Sequence, residues 1–282
     1  MENILRNRIL YKSGPGPADF CINHVKGCFH GCRFPCYAML MKKRCGEIKN
    51  YEDWIKPKLV GNAMELLDNE LPKLKGKIKT VHLCYSTDPF MQKQPEVGKM
   101  TLEIMERLNL ENIKCVVLTK GILPACLADV KKYGKNNEYG ITLVSLDKEF
   151  KKQFEPNSAP YSKRIKSLEY LYKKGLKTWV SMEAYPTSNM VKQDLGKILE
   201  KISFVNKIVF GKLNYNTKAA EFLGAETFYQ KQVKEIRDFC RGKGIECHIK
   251  YGTSKEYDKE MERVFGKERQ MRKFAGVLPI PI

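Results

Sequence analysis

Short β-branched apolar runs alternate with helix-patterned segments along nearly the whole sequence, and this alternation restricts the chain to few architectures. Residues 79–85 (KTVHLCY) read as a strand, followed by a helical stretch over 96–108 with apolar positions at Val97, Met100, Ile104 and Leu108. Residues 114–119 (KCVVLT) read as a buried strand, and Pro124 opens a helix running to about Tyr133. A strand over 139–146, a helix over 162–174 and strands over 178–183 and 207–211 continue the series. Gly175 offers the left-handed closure that ends the helix before it. A helix over 225–241 and a strand over 246–249 complete the pattern, and residues 18–23 supply a first strand. Strand–helix repeats of roughly 30 residues imply right-handed parallel crossovers, hence an α/β fold with a parallel sheet, open or closed into a barrel. Such folds place their chemistry on the loops after the C-terminal ends of the strands. We expect one domain over 1–250, with 251–282 as a basic C-terminal appendage.

The loop after the first strand carries three thiols within nine residues, in GCFHGCRFPCYA. Cys28, Cys32 and Cys36 are each separated from the next by three residues. A helix starting near Pro35 would put Cys36 at a positive helix end, which favours its thiolate. Ten cysteines in a chain of 282 residues are too sparse for a disulfide scaffold. The N-terminal residues lack the long apolar core of a secretory signal, and no apolar run approaches the roughly 20 residues that span a bilayer. The expectation is therefore a cytoplasmic protein with reduced thiols and no membrane association, whose clustered cysteines ligate metal. Two metal readings stand. A four-iron cluster held by three thiolates leaves one iron open to an external ligand. A structural zinc site would add His24 or His30 as the fourth donor.

The surroundings of the trio carry a resemblance. Asn23, Gly27, Cys28, His30, Cys32 and Cys36-Tyr37-Ala38 resemble the cluster-binding loop of the radical S-adenosylmethionine (SAM) superfamily, most closely its spore photoproduct lyase-like branch. The usual spacing there is three residues and then two; here Phe34-Pro35 adds length. Ser86-Thr87-Asp88-Pro89-Phe90 with Pro95-Glu96, then Thr119-Lys120, also resemble that branch. So do Phe154-Glu155-Pro156 with Pro160 and Arg164, and Gly211-Lys212-Leu213-Asn214. The resemblance implies a partial (β/α)6 TIM-like barrel of the radical SAM type. It implies a [4Fe-4S] cluster on Cys28, Cys32 and Cys36, with SAM on the open iron. It implies reductive cleavage of SAM to a 5′-deoxyadenosyl radical that abstracts hydrogen from a substrate, and an electron donor that supplies the cluster.

The same resemblance sets the expected SAM contacts. Ser86, Thr87 and Asp88 would meet the methionine group, and Lys120 its carboxylate. Ser145 would reach the ribose or methionine, or only its sheet neighbours, and Glu183 the ribose hydroxyls. Tyr37 follows the last cysteine. His30 is expected to donate to a cluster sulfur. Cys84 falls one residue early for the branch's hydrogen-donating cysteine, a shift that turns a strand side chain to the opposite face. Cys21, Cys45, Cys115 and Cys126 are expected to be small buried hydrophobes, and Cys240 and Cys247 are too few for a second cluster.

The formal net charge of +19, from 51 Lys and Arg against 32 Asp and Glu, favours polyanionic partners, so nucleic acid is the leading substrate class. Dispersed lysine is equally a solvated surface. A zinc-stabilised nucleic-acid-binding protein without catalysis is the rival function.

Overall fold

The computed structural model describes residues 1–13 and 18–265. An eight-stranded sheet organises the chain, ordered Leu10–Lys12, Phe20–Ile22, Thr80–Leu83, Lys114–Thr119, Glu138–Thr142, Lys177–Tyr185, Lys207–Lys212 and Glu246–Ile249. Only the first pair is antiparallel; every later ladder is parallel. The two ends of the sheet do not pair with each other, so the barrel is partial, and the expected strand Glu246–Ile249 is a seventh parallel strand beyond those of a six-stranded barrel.

Alternation along the strands separates two interiors. Val81, Leu83, Cys115, Val117, Tyr139, Ile141, Val180, Met182, Ile208 and Phe210 face the helices and form the main core. On the other face Val116, Trp179 and Val209 cluster inside the curve of the sheet. The Trp179 ring lies on Gly140, where any Cβ would collide with it, so glycine is required there. At the N-terminal strand ends, Lys114 pairs with Glu138 and Lys207 with Glu246. The opposite, C-terminal ends carry the loops described below.

Several elements follow the sequence pattern closely. Helix Pro95–Leu110 buries Val97, Thr101, Ile104, Met105 and Leu108 on one face. Helix Tyr161–Lys173 closes with Gly175 at φ +77°, and the Leu176 amide returns to the Leu171 carbonyl. Others depart from it. Cys84 takes φ +55° and ends the second parallel strand at Leu83. The strand expected over 139–146 stops at Thr142, and Pro124 introduces a 3-10 turn and one helical turn instead of a continuous helix. Cys45 and Cys126 are exposed and Cys21 is half-buried, because Cys45 caps a surface helix and Cys126 sits on that outer turn. Cys115 alone of these four is fully buried, as expected. Cys240 and Cys247 neighbour each other where helix Ala225–Lys243 turns into the edge strand.

A small second sheet, Asn3–Ile4, Lys58–Val60 and Val25–Lys26, has strands too short to register as a pattern. It anchors the segment that leads into the cysteine loop. Helix Lys255–Phe265 packs on Ala225–Lys243 through a two-pronged Arg237–Glu260 pair (2.7 and 2.9 Å) and the Arg237 guanidinium over Tyr257. The rest of the expected appendage, 266–282, lies outside the described residues. Among the described residues no helix is long and apolar enough to cross a membrane.

Candidate active site

The cysteine loop leaves the small sheet at Gly27 and is held by backbone. Gly27 sits at φ +84°, where an added Cβ would meet the Trp54 carbonyl at 2.7 Å, and that carbonyl accepts from the Cys28 amide at 2.8 Å. Gly31 is also left-handed (φ +56°), packed beneath the Tyr51 hydroxyl, which donates to the Gly31 carbonyl at 2.7 Å. Residues 154–159 strap the loop from the other side. Phe154 accepts from the Arg33 amide at 2.9 Å, and Asn157 donates its amide to His30 O and its side chain to Phe29 O.

The extra length between Cys32 and Cys36 is a turn with a cis Phe34–Pro35 bond. The Phe34 ring stacks on Phe154 at 5.7 Å, and the Asn216 side chain donates to the Phe34 carbonyl. Pro35 thus belongs to the turn rather than to the helix. Cys36 is the N-cap of helix Tyr37–Arg44.

Cys28 is buried, while Cys32 and Cys36 are half-buried. Cys32 and Cys36 act electrostatically on Cys28, and Cys36 on Cys32. Desolvation dominates all three and pushes their pKa values up, that of Cys32 to about 12. For Cys36 this outweighs the amides of Ala38 and Met39 at the helix start, so the expected thiolate-favouring effect is present but overcome. Lys120 pulls the other way on both Cys32 and Cys36.

Neither histidine has a nitrogen to give to a metal. The Gln92 amide donates to His30 Nε2 at 3.1 Å, so the neutral ring carries its proton on Nδ1, 3.3 Å from Asp88 Oδ2. His30 therefore has no N–H left for a cluster sulfur, contrary to the sequence expectation. His24 is fully buried between the Cys84 thiol (3.5 Å from Nδ1) and Thr101 Oγ1 (2.9 Å from Nε2). The single Thr101 hydroxyl proton goes to a carbonyl, of Pro89 or Val97, so His24 Nε2–H donates to Thr101 and Nδ1 accepts from Cys84. Burial lowers the His24 pKa to about 4 and raises that of Cys84 to about 12. Among the described residues no three His, Cys, Asp or Glu side chains converge on one metal ion. Three thiols on one clamped loop, with both nearby histidines engaged elsewhere, fit an iron–sulfur group in which each thiolate would take a different iron.

Around this loop the strand ends bring the remaining candidates. Asp88 is buried and saturated: Oδ1 accepts from the Phe90 amide and Thr119 hydroxyl, Oδ2 from the Lys120 amide and His30. Its carboxyl has no lone pair turned to the mouth, so Asp88 binds the loops together. Ser86 donates both its amide and its hydroxyl to Asn23 at 3.0 Å. The Thr87 hydroxyl is buried beside the Cys84 thiol. Lys120 follows the last residue of its strand, with Nζ 3.8 Å from Glu155 and 5.9 Å from the Phe34 ring centre.

Ser145 lies in the loop beyond Thr142, not inside a strand, and accepts from the Asp147 amide. Glu183 is within the strand Lys177–Tyr185 rather than at its end, inside the barrel and paired with Lys250 at 3.5 Å. Tyr37 is the first helical residue; burial and Tyr215 raise its pKa, and it in turn acts on Tyr85.

A model of the radical SAM superfamily matches residues 22–202, which spans the cysteine loop and every strand-end loop up to Glu183. The chain belongs to the radical SAM superfamily. Members use a [4Fe-4S] cluster and SAM. Spore photoproduct lyase with bound AdoMet and dinucleoside spore photoproduct has the same fold, with a TM-score of 0.61 at 13% identity over 88% of this chain and 80% of that one. A second lyase structure, complexed with dinucleoside spore photoproduct, gives 0.62 at 12% over the same shares. An uncharacterized protein of Methanocaldococcus jannaschii is 30% identical over 166 residues. That match covers 58% of this chain and 59% of the relative.

Sequence reading missed the partners that hold this loop and mouth together. The fully buried Arg164–Glu155 pair (2.6 Å) was visible only as a motif without a task. Asn157, Asn216 and Tyr51 reach the loop from 20 to 182 residues away, and no local pattern announces them.

Proposed function

We propose that this radical SAM enzyme cleaves SAM reductively and abstracts hydrogen from a nucleic acid, with Cys28, Cys32 and Cys36 as the cluster ligands. The observation that carries the reading is the clamped three-thiol loop at the C-terminal strand ends, beside Lys120, with His24 and His30 both engaged elsewhere. A zinc module would need one of those nitrogens.

When bound, the cluster supplies the electron that splits the sulfonium C–S bond of SAM and frees a 5′-deoxyadenosyl radical. The residues of the chain orient and shield. Asp88 and Asn23 fix the loop on which Ser86 presents its hydroxyl oxygen as an acceptor for the SAM amino group. The Ser145 hydroxyl keeps its own proton free to donate, since the Asp147 amide fills only a lone pair. Tyr37 flanks the mouth, and Glu183 offers a carboxylate oxygen to ribose hydroxyls. Lys120 places a cation where a carboxylate of SAM would arrive. Nucleic acid is favoured by the +19 charge and by the lyase likeness, whose solved complexes hold a dinucleoside.

The test is anaerobic turnover. With SAM and dithionite the reconstituted protein should release 5′-deoxyadenosine, and RNA or DNA should raise that rate and bind with a steep loss of affinity as salt increases. No 5′-deoxyadenosine would defeat the SAM-cleaving assignment; 5′-deoxyadenosine with no response to polynucleotide would defeat the substrate class.

A further inference from the structure

The barrel mouth holds a row of alternating charge. Lys120 Nζ stands 3.8 Å from Glu155 Oε1, and Glu155 Oε2 lies 2.6 Å from Arg164 Nη2. Glu155 and Arg164 are wholly buried. Arg164 is fixed on every side, donating to the carbonyls of Ala159 and Thr142 (both 2.9 Å) and to the Ser158 hydroxyl. Glu155 Oε1 receives no hydrogen bond among the described residues and faces the Lys120 ammonium. Lys120 in turn faces Phe34, which sits in the loop between Cys32 and Cys36. The Arg33 amide, next to Cys32, donates to the Phe154 carbonyl, next to Glu155, at 2.9 Å, so the row lies along the Cys32 side of the cysteine loop.

Buried ionic rows add little net stability, because desolvation offsets attraction. In a medium of low dielectric they are, however, effective sources of fixed potential. We infer that Lys120, Glu155 and Arg164 together set the reduction potential of the iron–sulfur cluster on Cys28, Cys32 and Cys36, an inference that rests on the cluster assignment above. Reduction adds one negative charge to the cluster. Lys120 and Arg164 stabilise that charge and raise the potential, while Glu155 trims the effect, leaving a net single positive charge beside Cys32.

The signs give a test that a merely structural role does not reproduce. Lys120→Met removes a cation and lowers the potential; Glu155→Gln removes the anion, keeps an acceptor for Arg164, and raises it. Lys120→Arg keeps the charge and stays near the parent value. The readout is an anaerobic redox titration of the reconstituted protein, without SAM, followed by electron paramagnetic resonance of the reduced cluster. Each charge change should move the oxidised-to-reduced ratio at fixed potential about tenfold, or about 59 mV for one electron.

An unmoved potential in Lys120→Met, or shifts of the same sign in Lys120→Met and Glu155→Gln, would overturn the inference. The first of these, combined with weakened SAM binding, would make Lys120 a SAM ligand alone. If Glu155→Gln does not fold, the Lys120→Met and Lys120→Arg pair decides. Failure of the parent protein itself to take up iron strikes the cluster assignment instead, and is read separately from any shift.

Discussion

His30 Nδ1 donates to Asp88 Oδ2 across 3.3 Å, joining the cysteine loop to the loop after the Thr80–Leu83 strand. The same carboxylate accepts from Thr119 and Lys120 at the end of the next strand. One buried side chain therefore ties three segments of the barrel mouth, and the loop that carries Cys28 and Cys32 is positioned by it.

Asp88→Asn should break that tie. Burial works against the Asp88 carboxylate, but its hydrogen-bond donors, His30, Thr119 and the Lys120 amide, hold the carboxyl below its ordinary pKa. A depressed folded-state pKa means stabilisation that is complete above the unfolded value near pH 4 and is lost as pH falls through the folded value. The amide variant puts an N–H₂ among donors, costs about 2–4 kcal/mol at neutral pH and removes this acid-limb dependence. Urea unfolding of the metal-free protein at pH 7 and below pH 4 measures both.

The buried histidines act in a higher window. Burial lowers the pKa of His24, His82 and His248 to about 4. Unfolded histidine takes up its proton near pH 6.5, so stability is full above that value and declines as pH falls from 6.5 toward 4. His82 Nδ1 has no partner, and its ring meets Tyr85 edge to face at 5.2 Å. His82→Phe should keep stability at pH 7 within about 1 kcal/mol and flatten the decline between pH 6.5 and 4. An unchanged slope in thermal unfolding against pH would contradict it.

Gly27→Ala should cost about 2–4 kcal/mol and most of the iron, because left-handed backbone and the Trp54 carbonyl leave no room for Cβ. Gly46→Ala is the control. It is also left-handed (φ +69°) but opens onto empty space, so it should cost about 1 kcal/mol and keep the iron. Urea unfolding and iron content of both variants check the contrast.

Arg164→Met strands the fully buried Glu155 carboxylate, and should destabilise the protein by about 3–5 kcal/mol. Adding Glu155→Leu should recover part of that loss, since an apolar pair replaces an unpaired charge. A double-mutant cycle in urea gives the answer.

The parallel strands were legible because period-two apolar runs bounded by turn formers survive tertiary packing. Gly175 was legible for the same local reason. The left-handed Cys84 was not, and it alone shortened a strand that the pattern carried on to Tyr85. Ser145 and Glu183 were displaced relative to their strand ends, since backbone bonding rather than apolar pattern sets where a ladder stops. The cysteine trio stood out by spacing. What became of His24 and His30 did not, because Thr101, Cys84, Gln92 and Asp88 come from 58 to 77 residues away. The charge row at Glu155 needed the strap fold to bring Lys120 and Arg164 to its two oxygens.

The most direct test of the account is metal and sulfide analysis of the anaerobically prepared protein beside its Cys28→Ala, Cys32→Ala and Cys36→Ala variants. The account predicts about four irons and four sulfides in the parent chain and loss of the brown cluster in each variant. One equivalent of zinc without sulfide, or an intact four-iron cluster after any of the three substitutions, would contradict it.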